Sequence, residues 1–144
     1  MRLFFILIGI MTLDNMSSQD LKKHQWENRV LLIVAQNEDS KEYRNQIAAL
    51  HKLQDELMER KVLVYCVLPQ QYSIMNFETK SNNWTSSTTL FDEFADKKDG
   101  FKVILIGMDG GTKLERSEVL TASELFGTID AMPMRRAELS RTKN

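Results

Sequence analysis

The sequence predicts an α/β domain with a central sheet flanked by helices. Three short, almost uninterrupted apolar runs carry this prediction: VLLIVA (30–35), VLVYCVL (62–68) and FKVILI (101–106). Such runs are typical of strands that are buried on both faces of a sheet, and the segments between them have the apolar spacing of amphipathic helices. The 144 residues suffice for one domain with its own core. Since the net charge is only −1, no general attraction to nucleic acid is expected.

The N-terminal residues 1–17 have the pattern of a secretory signal peptide. Arg2 precedes the apolar run LFFILIGIMTL (3–13), and a polar stretch follows it. The run is shorter than the roughly 20 residues that span a bilayer. The alternative is a buried N-terminal strand of the domain. We therefore expect an exported protein, periplasmic or secreted, with a single domain over residues 21–138 and a polar tail over 139–144.

The first half of the domain follows in order from these patterns. Strand 30–35 leads into a helix predicted over about 40–60, which a capping box of Asp39 and Glu42 opens. Strand 62–68 comes next and ends before a proline. The stretch 69–86 is predicted to be irregular, although it is long for a loop in a compact domain.

The second half begins with a short helix, predicted over about 87–96. Strand 101–106 then turns through Met-Asp-Gly-Gly and returns as a hairpin over 112–116. A second capping box, Thr121 with Glu124, opens the last helix, which Pro133 ends or kinks. The resulting order, β-α-β-α-β-β-α, is the minimal thioredoxin-like arrangement, and a different α/β sandwich with the same order remains an alternative.

Three blocks of the sequence resemble a known family. WENRVLLIVA (26–35), FKVILIGMDGGTK (101–113) and IDAMPMRRAE (129–138) look like the signature blocks of the domain of unknown function 4174. The resemblance implies a thioredoxin-like fold, small exported proteins in bacteria, and a place within the vertebrate sushi-repeat-containing X-linked proteins and coiled-coil domain-containing protein 80. It implies no catalytic residues, because the family has no established activity. Met108 stands where the family often has Lys.

The sequence lacks the residues on which thiol chemistry usually depends. A redox-active domain of this fold places a cysteine at the start of its first long helix, where the helix dipole lowers the thiol pKa. Residues 36–40 read QNEDS instead, and the loop 96–100 has no proline. The single cysteine, Cys66, lies in an apolar strand and is interpreted as a small buried hydrophobe. The alternative is a redox-accessory or peroxiredoxin-like enzyme that uses Cys66.

No metal site, cofactor or catalytic residue is predicted. The two histidines, His24 and His51, lie on different elements, whereas zinc needs three or four close ligands. Asp109 and Asp130 show no spacing that pairs them for acid–base work. Whether the chain is an enzyme stays open, although the sequence favours a protein that is not one.

A non-catalytic binding module is therefore the predicted function. The candidate partner-binding residues are Trp84, Arg135, Arg136 and Lys113. Trp84 either contacts a partner or packs back onto the core, and the two arginines either face water or bind an acidic partner together with Lys113. We expect the partner to be an envelope or extracellular protein or another macromolecule, with no nucleic acid and no stable membrane span.

The turn Asp109-Gly110-Gly111 is the remaining candidate motif. Asp-Gly is common in hairpin turns because it tolerates positive φ, which favours a turn over a phosphate cradle. The segment also lacks the Lys-Ser/Thr ending of a P-loop.

Overall fold

A computed structural model describes residues 20–79, 82–96 and 98–143, so the predicted signal segment, 1–17, lies outside the described residues. The strands are β1 (Arg29–Ala35), β2 (Val62–Leu68), β3 (Gln71–Ile74), β4 (Thr85–Ser86), β5 (Phe101–Ile106) and β6 (Thr112–Arg116). The helices are α1 (Lys41–His51), α2 (Gln54–Glu59), α3 (Thr89–Phe94), α4 (Ala122–Asp130) and α5 (Pro133–Thr142). No helix in the described ranges has both the length and the apolar character needed to cross a bilayer.

The strands form one sheet in the order β4-β3-β2-β1-β5-β6. β1 pairs with β2 in parallel and with β5 in antiparallel, and β5 and β6 form an antiparallel hairpin. The inner four strands, β2-β1-β5-β6, therefore have the predicted thioredoxin-like arrangement. The start of β1 lies beside the end of β5, because Val30 pairs with Ile106.

The stretch 69–86, predicted to be irregular, contains two short strands that extend this sheet. β3 pairs with β2, and the two residues of β4 pair with β3. The prediction failed here because such short, polar edge strands are held by backbone hydrogen bonds, which leave little pattern in the side chains.

Both faces of the sheet are buried, as the continuous apolar strands predict. One core cluster packs α1, α2 and α4 on the face that carries Leu31, Ile33 and Cys66. The other cluster packs α3 on the face that carries Leu32 and Tyr65. Arg29 has the same parity as Leu31, so its side chain lies on the α1, α2 and α4 side.

The first predicted helix differs from the prediction in two respects. The single helix over 40–60 is two helices, separated at Lys52 and Leu53. The N-cap of α1 is Ser40, whose hydroxyl accepts from the N–H of Tyr43 at 3.3 Å, while Asp39 pairs with Arg44. A polar run with several capping residues does not show which of them the chain uses.

Pro133 begins a helix and does not end one. α4 already stops at Asp130, and Pro133 occupies the first turn of α5. Its missing N–H and its fixed φ suit that position. The residues after Pro133 are thus presented on a new helix.

Candidate functional site

Six charged side chains meet beside the start of β1, and we call them the charged cluster. They are Arg29 of β1, Glu59 of α2, Arg60 after α2, Asp130 of α4, and Arg135 and Glu138 of α5. Arg29 has no exposed surface and Arg135 has 4%. Buried guanidinium groups need carboxylate partners to offset their desolvation, and the cluster supplies them.

The contacts within the cluster join both ends of the described chain. The two Nη atoms of Arg29 donate to Glu138 at 3.3–3.4 Å. Arg135 donates to Glu59 at 2.9 Å and to Asp130 at 3.2 Å, and Arg60 donates to both oxygens of Asp130 at 3.0 Å. The Arg60 guanidinium, followed by Arg135, lowers the pKa of Asp130. The cluster therefore fastens α5 to the sheet and to α2.

Beside this cluster lies a groove of about 590 Å³, which we call the methionine groove. Its walls come from the segment before β1, the β5–β6 turn and the α4–α5 junction. The residues that shape it are Trp26, Arg29, Met108, Lys113, Met132 and Met134. Apolar walls with a few polar groups are typical of ligand sites.

Arg29, one of the residues that line the groove, carries an unusual polar atom. Its Nη atoms are occupied by Glu138 and by the carbonyl of Arg60, whereas its Nε is buried and has no hydrogen-bond partner among the described residues. A buried unpaired donor is costly and is uncommon in folded proteins. Arg29 therefore keeps one unpaired donor that is shielded from solvent.

Trp26 stands at the edge of the methionine groove with 62% of its surface exposed. Its φ is +70°, a left-handed conformation that is unfavourable for a bulky side chain. Its N–H donates to the carbonyl of Met108 at 2.6 Å, and Gln25 donates to the carbonyl of Asp109 at 3.0 Å. These bonds tie the segment before β1 to the β5–β6 turn and hold the indole at the groove.

In the turn Asp109-Gly110-Gly111, the glycine N–H groups donate to acceptors within the turn. The N–H of Gly110 donates to the carbonyl of Gly107 at 3.0 Å, and the N–H of Gly111 donates to the Asp109 carboxylate at 2.9 Å. Lys113 donates to the same carboxylate at 2.8 Å, which is the main cause of the lowered pKa of Asp109. The geometry is that of a hairpin turn, with Gly110 at φ +85°, and these two N–H groups are not free to hold a phosphate.

The other end of the sheet is where this fold would place a redox cysteine. The groove there is lined by residues 36–39, 68–71 and Ser86, none of which is a cysteine or a histidine. Cys66 lies in β2 with 1% exposure, and burial raises the pKa of its thiol to about 11. At neutral pH the thiol is therefore protonated and shielded, which is the condition of an unreactive cysteine.

The sequence matches a known family over most of its length. The family model described as domain of unknown function (DUF4174) matches residues 20–138. The chain belongs to this family. All the residues of the charged cluster and of the methionine groove fall within the matched range.

Among solved structures, the DUF4174 chain is similar to the reduced 2-Cys peroxiredoxin of Plasmodium vivax. The TM-score is 0.58 with 16% sequence identity, over 81% of this chain and 72% of the peroxiredoxin. At that identity the likeness shows the fold alone, which is thioredoxin-like, as predicted. The curated proteins contain no match to the chain.

The predicted partner-binding residues of the DUF4174 chain are not brought together in one site. Arg135 is buried in the charged cluster, which contradicts the alternative that both arginines face water, while Arg136 is exposed. Lys113 lines the methionine groove. Trp84 is partly buried and packs against the core, and its contact with a partner stays a prediction.

Metal ligation finds no support in the described part of the chain, where no three His, Cys, Asp or Glu side chains form a candidate site. His24 shares a hydrogen bond of 2.5 Å with the hydroxyl of Tyr65, and burial lowers its pKa. His51 contacts the ring of Phe77 edge to face. Both histidines thus have packing roles in the observed fold.

Sequence reasoning missed the residues that matter most in this site: Trp26, Arg29, Met134 and Glu138. Each lies in one of the family blocks, but no spacing within a block shows which other block it meets. A single clue was present, namely an arginine directly before a strand that is buried on both faces. The side chain of such an arginine must either reach solvent or pair with a carboxylate.

Proposed function

We propose that this DUF4174 domain is a non-catalytic binding module whose ligand occupies the methionine groove. The observation that carries the proposal is the groove itself, an apolar hollow of about 590 Å³ with the exposed Trp26 at its edge. A ligand in the groove would remove these apolar walls and the indole from water.

The surroundings of the groove support the same proposal. Trp26 is exposed, aromatic and held in a strained backbone conformation, and such strain is found where binding sites require it. Exposed tryptophan is also enriched among the residues that dominate interfaces. A binding role without thiol chemistry is further supported by the buried, protonated state of Cys66.

We propose, in addition, that the domain acts outside the cytoplasm. The support is Arg2 followed by the apolar run 3–13, which has the pattern of a signal peptide. The intact mass of the protein recovered from its own host tests this. A mature species that begins near Ser18 is expected, and a native species that begins at Met1 would contradict export by signal cleavage.

The binding proposal is tested by photocrosslinking at the groove. Trp26 is replaced by a photoreactive phenylalanine analogue, the protein is expressed in its own host, and adducts are recovered and identified by mass spectrometry. One dominant partner is expected because the side chain at this position lies beside the ligand.

Two charge variants control this experiment. Met134→Asp places a charge in the groove, whereas Met58→Asp places one at a more exposed methionine on α2, away from the groove. The adduct should be lost in the first variant and kept in the second. Equal adduct yields in both variants would refute the groove as the binding site.

A further inference from the structure

The strand β6 forms an exposed edge of the sheet. Within the described ranges it pairs only with β5, and four of its five residues are exposed. An edge strand directs the N–H and C=O groups of every second residue away from the sheet, where another strand can pair with them. We propose that β6 pairs with β6 of a second copy of this chain, antiparallel and about a two-fold axis at Leu114. This interface does not depend on a ligand in the methionine groove.

The sequence of β6, Thr-Lys-Leu-Glu-Arg (112–116), is complementary in charge to its own reverse. With the axis at Leu114, Lys113 of each copy lies opposite Glu115 of the other. The two opposite-charge pairs that result face each other directly across neighbouring strands, where such pairs stabilise a sheet. Because a two-fold contact uses the same patch on both chains, association through this edge stops at the dimer.

The other antiparallel registers of β6 are less favourable. An axis at Lys113 would place two lysines opposite each other, and an axis at Glu115 would do the same with two glutamates. An axis between Leu114 and Glu115 would place Lys113 opposite Arg116, and an axis between Lys113 and Leu114 would form no charge pair. Since like charges directly opposite each other are destabilising, the charges of β6 select the register that is centred on Leu114.

The ion pairs within one chain are compatible with this register. Lys113 lies 2.8 Å from Asp109, and Glu115 lies 2.8 Å from Lys102. The side chains of Lys113 and Glu115 are still 35% and 52% exposed, so each can contact a second partner. In each half of the dimer the charges then alternate in sign, in the order Asp109, Lys113, Glu115 of the other copy and Lys102 of that copy. Each charge gains an opposite neighbour and keeps its own.

The backbone of β6 is also suited to a second strand. Lys113 is the extra residue of a bulge, because Leu105 pairs with Leu114 and Ile106 with Thr112. The extra residue of a bulge is left unpaired by the neighbouring strand, so β5 does not use its backbone groups. The remaining residues of β6, from Leu114 to Arg116, pair regularly with β5 and therefore keep the extended geometry that a further strand requires.

Self-association of the native protein tests the interface. A contact of one short strand per copy is smaller than the roughly 1,200–2,000 Å² of stable interfaces, so a weak dimer with a dissociation constant on the order of 0.1 mM is expected. Sedimentation velocity from about 10 µM to about 1 mM should show the dimer form, and high salt should weaken it. In amide NMR the signals of 112–116 should shift with concentration, whereas those of Thr85 and Ser86 on the opposite edge should not.

Charge reversal tests the register. Lys113→Glu and Glu115→Lys each place like charges opposite each other, so each variant alone should associate at least about tenfold more weakly than the native protein. An equimolar mixture of the two variants should associate as the native protein does, because every charge again faces its opposite. The matched control is Arg44→Glu on α1, which also removes an exposed ion pair, with Asp39 at 3.0 Å, and should leave association unchanged.

Four results would overturn the inference. The first is the absence of any dimer at about 1 mM protein, and the second is a concentration dependence confined to Thr85 and Ser86. The third is slow hydrogen exchange of every β6 amide at all concentrations, which would mean that another part of the same chain covers the edge. The last is a mixture of Lys113→Glu and Glu115→Lys that associates no better than either variant alone.

Discussion

Replacement of Glu138 by Gln should lower the free energy of unfolding by about 3 kcal/mol, because it leaves the buried guanidinium of Arg29 without a carboxylate. The Arg29 side chain is 1% exposed and that of Glu138 is 15% exposed, so water can replace little of the lost interaction. The glutamine retains the size of the side chain and one oxygen acceptor, which isolates the effect of the charge.

The magnitude follows from the contacts. Removal of one partner from a buried ion pair costs roughly 3–5 kcal/mol. The two hydrogen bonds at 3.3–3.4 Å are long for charge-assisted bonds, and the carbonyl of Arg60 still accepts from Arg29 at 2.8 Å. Arg135 also loses Glu138 but keeps Asp130 and Glu59. These facts place the cost at the lower end of the range.

Urea unfolding measures this change. With a slope of roughly 2 kcal/mol per molar urea, the midpoint should fall by about 1.5 M. The matched control is Glu118→Gln, at an exposed glutamate for which no ion pair is found within the described residues, and it should change stability by no more than about 0.5 kcal/mol. The reasoning is refuted if the two variants unfold at the same urea concentration.

A double replacement separates the charge from the shape. Arg29→Met combined with Glu138→Leu removes both charges and retains apolar volume at the site. Because the desolvation cost of a buried pair is large, this variant should recover most of the stability that Glu138→Gln loses. If the double variant is as unstable as Glu138→Gln, the ion pair contributes more to stability than apolar side chains of similar volume.

Three further predictions concern residues outside this pair. Burial raises the pKa of Cys66 from 9.0 to about 11, which lowers its thiolate fraction at pH 7.5 by about a hundredfold. Iodoacetamide should therefore label the native protein at least a hundredfold more slowly than the urea-unfolded protein, and similar labelling rates would contradict the buried thiol. The pKa of Asp130 is lowered in the folded state, so its contribution to stability is present above about pH 4 and is lost as the pH falls below that value. In Asp130→Asn the free energy of unfolding should therefore fall less steeply on the acid side, and an unchanged dependence on pH would count against the ion pairs. At φ +70°, Trp26→Gly should be more stable than Trp26→Ala by about 1 kcal/mol in urea unfolding, because only glycine adopts this conformation without strain; equal stability would remove the argument for strain.

The central part of the fold was predictable because its strands must be buried on both faces. That requirement produces continuous apolar runs, and the strands over 62–68, 101–106 and 112–116 have the predicted bounds. The edge strands β3 and β4 were not predictable, since backbone pairing at an edge makes few demands on side chains. The capping box at Asp39 was misassigned because Ser40 next to it satisfies the same requirement.

The candidate site was less predictable than the fold. Lys113 and the turn at Asp109 were selected from local motifs, and both lie at the methionine groove. Arg135 was selected as a candidate surface residue, but its guanidinium is buried among carboxylates from α2, α4 and α5. An arginine in a helix has the same local pattern whether it faces water or a buried carboxylate.

By itself, the sequence determined the fold class, the inner strands, the hairpin turn and the absence of a cysteine where this fold performs thiol chemistry. These properties depend on composition and short-range periodicity, which are visible in one chain. Only the tertiary structure decided that Arg29 and Glu138, separated by 109 residues, form one buried pair, and that the donor left over on Arg29 belongs to a side chain that lines a groove. The physical reason is that pairing and desolvation depend on distances in space, and these exist only once the chain has folded.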